Sequence, residues 1–428
     1  MSCGLCWHVT GRPVWTGIAV YDVSSPGERL RDVRLSRGFT QQRLAVEAGL
    51  SVGVVKKVER GGTARLETYH ALARALGVRT SRLLDAGAPH REQRDDGDNL
   101  PLLGLRQVIA PPVTADGPLG LTAVTGADEE PDLRRLWRTA DGLADTYYRD
   151  DYGTVAELLP SLVRSAHSAV RHFEGAAQHG DALRLRARVL QMAGRYLVQV
   201  RAYDLAHMAL RDAVRDAAAA GDQGGVAAAV YQQGWLLIRQ GRLDEAEAVS
   251  VVTADASEPR LSRASREALG AWGKLLVHGS SAAARNNRPG EARDMLRLAR
   301  AAGVALGGGQ AVSTATWGRF DWRTVAYQAI ENHMVADNPH RALALASRMP
   351  PPPKGATFGR RHMLTVAQAH AALRAGDEAM AILLGLSRTS PQWLRHQRLA
   401  RDVFGTARKR QRVMTRDQRE LAALLHAE

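Results

Sequence analysis

The sequence predicts an all-α chain, with an N-terminal helix-turn-helix bundle of five helices followed by a long array of helix pairs. Three observations point that way. Only 5% of the 428 residues are aromatic while 45% are hydrophobic, and Ala and Leu dominate that fraction, which favours helix over sheet. Two short capped segments sit back to back between Thr40 and Gly61. From about Pro131 onward the pattern is helix after helix, separated by short polar breaks.

Residues 26–85 hold the bundle. Residues 28–37 read as its first helix, ended by Gly38. Thr40 can cap the second helix and Ser51 the third, each offering a side-chain oxygen to orphan N–H groups. Gly49 between them supplies the left-handed conformation of a tight turn. Leu44, Ala45 and Ala48 line one face of the second helix, and Val55 and Val58 line the third. Residues 68–76 read as a fourth helix stopped by Gly77, and residues 81–84 as a short fifth. Two capped helices joined this tightly form the unit that lays its second helix in a DNA major groove.

The flanks have other characters. Residues 1–25 lack a period and read as a flexible leader. Cys3-x-x-Cys6 with His8 lacks a fourth ligand and a surrounding fold for a metal site, so no metal or other cofactor is expected. Two cysteines exclude a disulfide framework and favour a reducing compartment. Residues 86–130 turn to Gly, Pro and Asp and read as a linker, although residues 100–110 are apolar enough to dock on a neighbour. No 18-residue apolar run and no signal peptide is evident, so a soluble cytoplasmic protein without a membrane partner is expected. The net charge of +14 suits a polyanionic partner.

Residues 131–425 read as the helix-pair array. Ala228 to Ala248 carries a small residue, Gly234, in one helix, a helix-ending Gly241, and then Asp244-Glu245-Ala246 opening the next. This resembles a tetratricopeptide repeat, and Gly194 with Ala206 repeats the spacing upstream. Weaker copies place the matching alanine at Ala156, Ala292, Ala342 and Ala379. In such stacks the first helices present an inner stripe. Here it carries Arg188, Gln191, Arg195 and Gln199, then Tyr231, Trp235 and Arg239, then Lys274 and Arg285, then Tyr327 and Glu331, then His370 and Arg374. Cations interleaved with aromatics suit a carboxylate on an apolar body. Ordinary solvated charges and packing aromatics are the other reading.

The order Arg34-x-x-x-Gly38-x-Thr40-Gln41-x-x-Leu44-Ala45, then Gly49-Leu50-Ser51 and Glu59-Arg60-Gly61, resembles the phage-repressor-like, or Xre, helix-turn-helix family. The resemblance implies double-stranded operator DNA as partner. It assigns a phosphate contact to Gln41 and base contacts to Val52, Gly53, Lys56 and Lys57, flanked by Ser51 and Arg60. It also pairs Arg34 with Glu59 between the first and third helices. Val52 and Gly53 stand where polar readers are usual; Val52 suits a thymine methyl and Lys57 a guanine edge. The remainder resembles helical-repeat sensor domains of regulators from high-GC bacteria and, more distantly, the peptide-pheromone receptors of the RRNPP group. Together these imply a homodimeric transcriptional regulator. A small-molecule or peptide effector would be held by Arg195, Tyr231, Trp235, Arg239, Lys274, Arg285 and Tyr327.

No enzyme is expected. Gly307-Gly308-Gly309-Gln310 lacks the Lys-Ser/Thr of a phosphate loop, and the histidines show no ligand spacing. Asp95-Asp96-Gly97-Asp98 lacks the downstream Glu of a calcium loop. The basic run at 408–412 reads as a solvated helix end or a nucleic-acid contact. The rival overall reading is an interaction scaffold whose helix-turn-helix only tethers it to DNA.

Overall fold

The computed structural model describes residues 25–84, 102–115, 117–118, 130–307, 311–313, 318–352, 357–409 and 413–427. The expected leader up to residue 24, most of the expected linker, Gly308 to Gln310 and residues 410–412 lie outside the described residues. Two compact units are present, the first comprising described residues 25–76 and 82–84 and the second residues 77–81 and everything from 102 onward.

In the first unit, α1 (Pro26–Ser36) starts before the expected position 28. The reason is a capping box at Ser25, a residue expected in the leader. Its hydroxyl accepts from the Glu28 N–H at 3.2 Å, and the Glu28 carboxylate accepts from the Ser25 N–H at 2.6 Å. Helices α2 (Gln41–Glu47) and α3 (Val52–Glu59) are capped by Thr40 and Ser51, whose oxygens accept from Arg43 N and Val54 N. Gly49 has φ +65° between them, and the Leu50 N–H reaches back to the Ala45 carbonyl at 2.8 Å, closing the turn. Helix α4 (Leu66–Leu76) and the short α5 (Thr80–Leu84), of which residues 82–84 belong to this unit, complete the five. Leu30, Leu44, Val55, Leu72 and Leu83 are fully buried at the centre.

The second unit begins with α6 (Leu103–Ile109), inside the stretch read as linker. Leu102, just before it, and its Leu105, Val108 and Ile109 are buried in the same core as Leu159, Val163 and Leu210. Six helix pairs come next. They are α7 (Leu133–Tyr148) with α8 (Tyr152–His172), α9 (His179–Gln199) with α10 (Tyr203–Ala219), α11 (Gln223–Arg239) with α12 (Leu243–Ala256), α13 (Arg266–Arg285) with α14 (Pro289–Ala305), α15 (Trp322–Val335) with α16 (Pro339–Ala346), and α17 (Thr357–Ala372) with α18 (Gly376–Thr389). Helices α19 (Pro391–Arg395), α20 (Arg398–Arg408) and α21 (Arg416–Leu425) close the C-terminal end. Among the described residues the only strands form two small antiparallel hairpins, Val113–Thr114 with Gly117–Pro118 and Ala311–Ser313 with Gly318–Phe320.

One turn is used in all six pairs. The residue two before each second helix is left-handed: Asp150, Arg201, Gly241, Asn287, Asp337 and Arg374 have φ between 59° and 77°. In each case the next N–H bonds a carbonyl five residues back, as Arg242 N does to Leu237 O and Ala375 N to His370 O. Arg374, read as part of the inner stripe, is thus a turn residue beyond the end of α17. The fourth residue of each second helix then packs inward. It is Ala206, Ala246, Ala292, Ala342 and Ala379, all buried, but in α8 it is Val155. Ala156, the residue expected there, lies one position out of register and is only half-buried.

Arg374 is exposed and carries its left-handed φ of 66° without a glycine's freedom. Such a residue costs roughly 1–2 kcal/mol relative to a right-handed one, partly offset by the backbone entropy glycine loses on folding. Arg374→Gly is therefore expected to stabilise the second unit by about 0.5–1 kcal/mol, read as a raised thermal midpoint.

Candidate functional site

The first unit presents α3 outward. Val55 and Val58 face the core, leaving Gly53, Lys56, Lys57 and Arg60 exposed, Ser51 exposed at the cap and Val52 half-buried. This face carries three cations and no carboxylate. The aliphatic stem of Lys57 lies along Gly62, where an added Cβ would meet its Cγ at 2.6 Å.

Behind α3 sits a fork. Arg34 Nε donates to Glu59 Oε1 at 2.5 Å and Nη2 to Oε2 at 3.1 Å, while Nη1 donates to the Phe39 carbonyl at 2.8 Å. Gln41 Nε2 also donates to Glu59 Oε2, at 2.7 Å. Gln41, assigned by resemblance to a DNA phosphate, therefore uses its amide N–H to tie the start of α2 to the end of α3. Burial pushes the Glu59 carboxyl up, but the hydrogen bonds from Arg34 and Gln41 and the charges of Arg34 and Arg31 outweigh it and hold it below its usual value.

In the second unit, six of the seven residues read as an effector groove fall in one connected set. Arg195 on α9 lies over Tyr147 at 4.8 Å and Tyr148 at 5.0 Å. Tyr231 on α11 stacks on His278 of α13 at 4.0 Å, with Lys274 Nζ 5.6 Å from its ring centre. Trp235, one turn along, has the Arg239 guanidinium 4.8 Å from its ring and that of Arg361 on α17 at 4.1 Å. Arg361 and Arg285 both grip Glu331 of α15, Arg361 through Nε at 3.1 Å and Nη2 at 2.6 Å. Tyr327 differs: it stacks on His362 at 4.1 Å and packs with Ile330, Ala342 and Ala369.

Burial dominates the charges here. It lowers Lys274, 1% exposed, to about 7, helped by the Arg195 charge. It lowers His278 to about 3 and raises Tyr231 to about 12. Arg239 falls to about 10 through burial and then the charge of Arg361, and its Nε has no hydrogen-bond partner among the described residues. For Glu331 burial acts upward, but Arg361 and Arg285 prevail and hold it far below the ordinary carboxylate range.

Sequence reasoning missed three participants: Arg361, His278 and Tyr148. His278 carried a signal, since it lies one turn after Lys274 on the same face. Arg361 carried none, because a contact between distant segments places it. Asp150, in the turn before α8, pairs with Arg360 of α17, whose Nη1 also meets Ser390 Oγ at 3.0 Å. Tyr152 lies edge-on to His396 at 5.6 Å. The early and late helix pairs of the second unit thereby meet, and Arg361 follows Arg360 onto Trp235.

Among the described residues, no helix is long and apolar enough to cross a membrane, and no cluster of three His, Cys, Asp or Glu suits a metal ion. Residues 30–83 match a family model described as helix-turn-helix, spanning nearly all of α1 to α5. The chain thus carries an Xre-like helix-turn-helix domain followed by a helical region, and that domain supports a DNA-binding regulator. No curated protein and no solved structure matches the chain.

The fork and the buried amine each carry an expectation. Glu59→Ala leaves Arg34 buried without its carboxylate, and losing one side of a buried pair costs roughly 3–5 kcal/mol. Amide exchange across α1–α3 of the full chain is expected to accelerate accordingly; unchanged protection would contradict the role given to the fork. For Lys274 the folded amine releases its proton near 7, whereas the unfolded one holds it to its ordinary 10.5. The unfolded state binds the extra proton between those values, so stability from this group rises with pH across that window. Lys274→Met is expected to flatten the gain in melting temperature between pH 7 and pH 9.

Proposed function

We propose that the protein is a sequence-specific, DNA-binding transcriptional regulator of the cytoplasm. It acts as a homodimer and is controlled by an effector held on the inner face of its helix pairs. The observation that carries the DNA-binding part is the outward face of α3, where Gly53, Lys56, Lys57 and Arg60 are exposed with Ser51 at the cap and Val52 beside them. An N-terminal helix end and a set of cations on one face suit a major groove and its flanking phosphates. One such head makes few base contacts, so two copies on paired half-sites are expected for operator affinity. The shared turn and the small fourth residue of five of the six second helices support reading the second unit as tetratricopeptide-like. We assign it binding and no catalytic step.

Genome-wide mapping of bound DNA, followed by footprinting, tests this reading. A defined palindromic footprint supports it. Sequence-blind, salt-sensitive binding alongside a stable protein complex would favour a scaffold tethered to DNA. Within a footprint, Gln41→Ala, which releases the tie to Glu59 together with the phosphate contact the resemblance assigns, is expected to weaken all sequences about equally, because neither carries base information. Lys57→Ala is expected to relax preference at one base pair, by about 1–3 kcal/mol for a bidentate contact. Equal weakening everywhere by Lys57→Ala would make Lys57 a phosphate contact.

A further inference from the structure

We infer that the inner face of the second unit binds a small aromatic carboxylic acid, its ring laid against Trp235 and its carboxylate taken by Arg239. This site rests on the effector reading of the same face and names the class of ligand that reading leaves open.

Charge sets the first requirement. Arg239, Arg285 and Arg361 lie close enough to influence one another, and Glu331 is the carboxylate among them. Glu331 is already engaged by two guanidinium groups. Arg239 is left with a ring contact to Trp235 and an Nε that is out of water and, among the described residues, without an acceptor. A buried guanidinium N–H without a partner is costly, and the group that repairs it is an anion with oxygens in one plane. A carboxylate does this through the guanidinium fork, and Glu331 displays that geometry nearby.

The aromatic surface fixes the remainder of the ligand. Trp235 is half-buried rather than sealed, and Tyr231 stacked on His278 continues its surface one turn earlier. His278 is neutral at physiological pH, so it offers a flat apolar face instead of a further charge. Arg361 reaches Trp235 from the far end of the unit, so a ligand here touches early and late helix pairs at once. A planar ring carrying one carboxylate matches both requirements, lying against the exposed part of the indole beside the two guanidinium groups, with a fork at Arg239.

The test is calorimetric titration of the full chain with 2-naphthoate, with indole-3-acetate as a second acid and 2-naphthamide as the uncharged counterpart. The expected result is one site per chain for at least one acid, with the amide at least tenfold weaker than the naphthoate. Arg239→Gln and Trp235→Ala should each weaken acid binding about tenfold or more, and Arg239→Lys less than Arg239→Gln. Arg239→Gln trades a ring contact for relief of the unpartnered N–H and should remain folded; should it misfold, Trp235→Ala and Arg239→Lys decide the matter. The inference is overturned if neither acid binds at millimolar concentration, if naphthoate and naphthamide bind alike, or if folded Arg239 variants bind like the wild type. Operator binding by the same preparation without any acid separates the two levels. Binding DNA but no acid leaves the regulator reading standing and removes this site.

Discussion

Each helix pair of the second unit reverses through a single left-handed residue, and the position of that residue sets the phase of the second helix. Two residues later that helix begins, and its fourth residue packs inward, an alanine in five pairs and Val155 in the first. In the second pair the first helix also offers a small residue, Gly194, where an added Cβ would sit 2.5 Å from the Leu210 side chain. Packing at this distance leaves no room for rotation about the helix axis. The long side chains of the first helices are therefore presented in the same direction from pair to pair. That constraint, repeated six times, puts Arg195, Tyr231, Trp235, Lys274 and Glu331 in one connected set although they come from four helices.

The same constraint creates an electrostatic problem. Cations gathered on an inner face lose water and repel one another, which is why Lys274 falls to about 7 and Arg239 to about 10. The chain answers with aromatic rings for Arg195, Arg239 and Arg361 and with a single shared carboxylate at Glu331. Rings attract a guanidinium by roughly 0.5–2 kcal/mol, less than an ionised partner provides when both are desolvated. The first unit solves the analogous problem completely. There Arg34 meets one carboxylate and one carbonyl, and Glu59 receives both Arg34 and Gln41.

How far these features are legible in the sequence depends on whether they are local. Thr40, Gly49 and Ser51 signal the first unit because capping and left-handed turns act within five residues. The buried alanines at 206, 246, 292, 342 and 379 follow a spacing, and the spacing survives folding. Ala156 fails for a local reason as well: Val155 and Ala156 are adjacent, and an alanine-rich helix does not show which of two neighbours faces inward. Residues 100–110 are apolar enough to suggest docking, but only the packed structure shows Leu105 and Val108 inside the second unit's core. Arg361 is beyond the reach of sequence patterns, since its place depends on Asp150, 210 residues before Arg360.

That long-range pair carries an electrostatic cost of its own. Burial raises the Asp150 carboxyl above its ordinary value, against the pull of Arg360, Ser390 and Tyr152. A carboxylate raised in this way binds its proton more readily folded than unfolded, so its contribution to stability declines as pH rises through that range. Asp150 with Arg360 is thus poorly described as a source of stability; buried pairs often break even or lose against apolar packing. What it supplies is a definite register between early and late helix pairs, fixed further by Ser390 on one side and by Arg361 on Trp235 on the other. A ligand bridging Arg239 and the late pairs would act in the same place as this pair. A preference of only about 1.4 kcal/mol for one register is a tenfold shift in population.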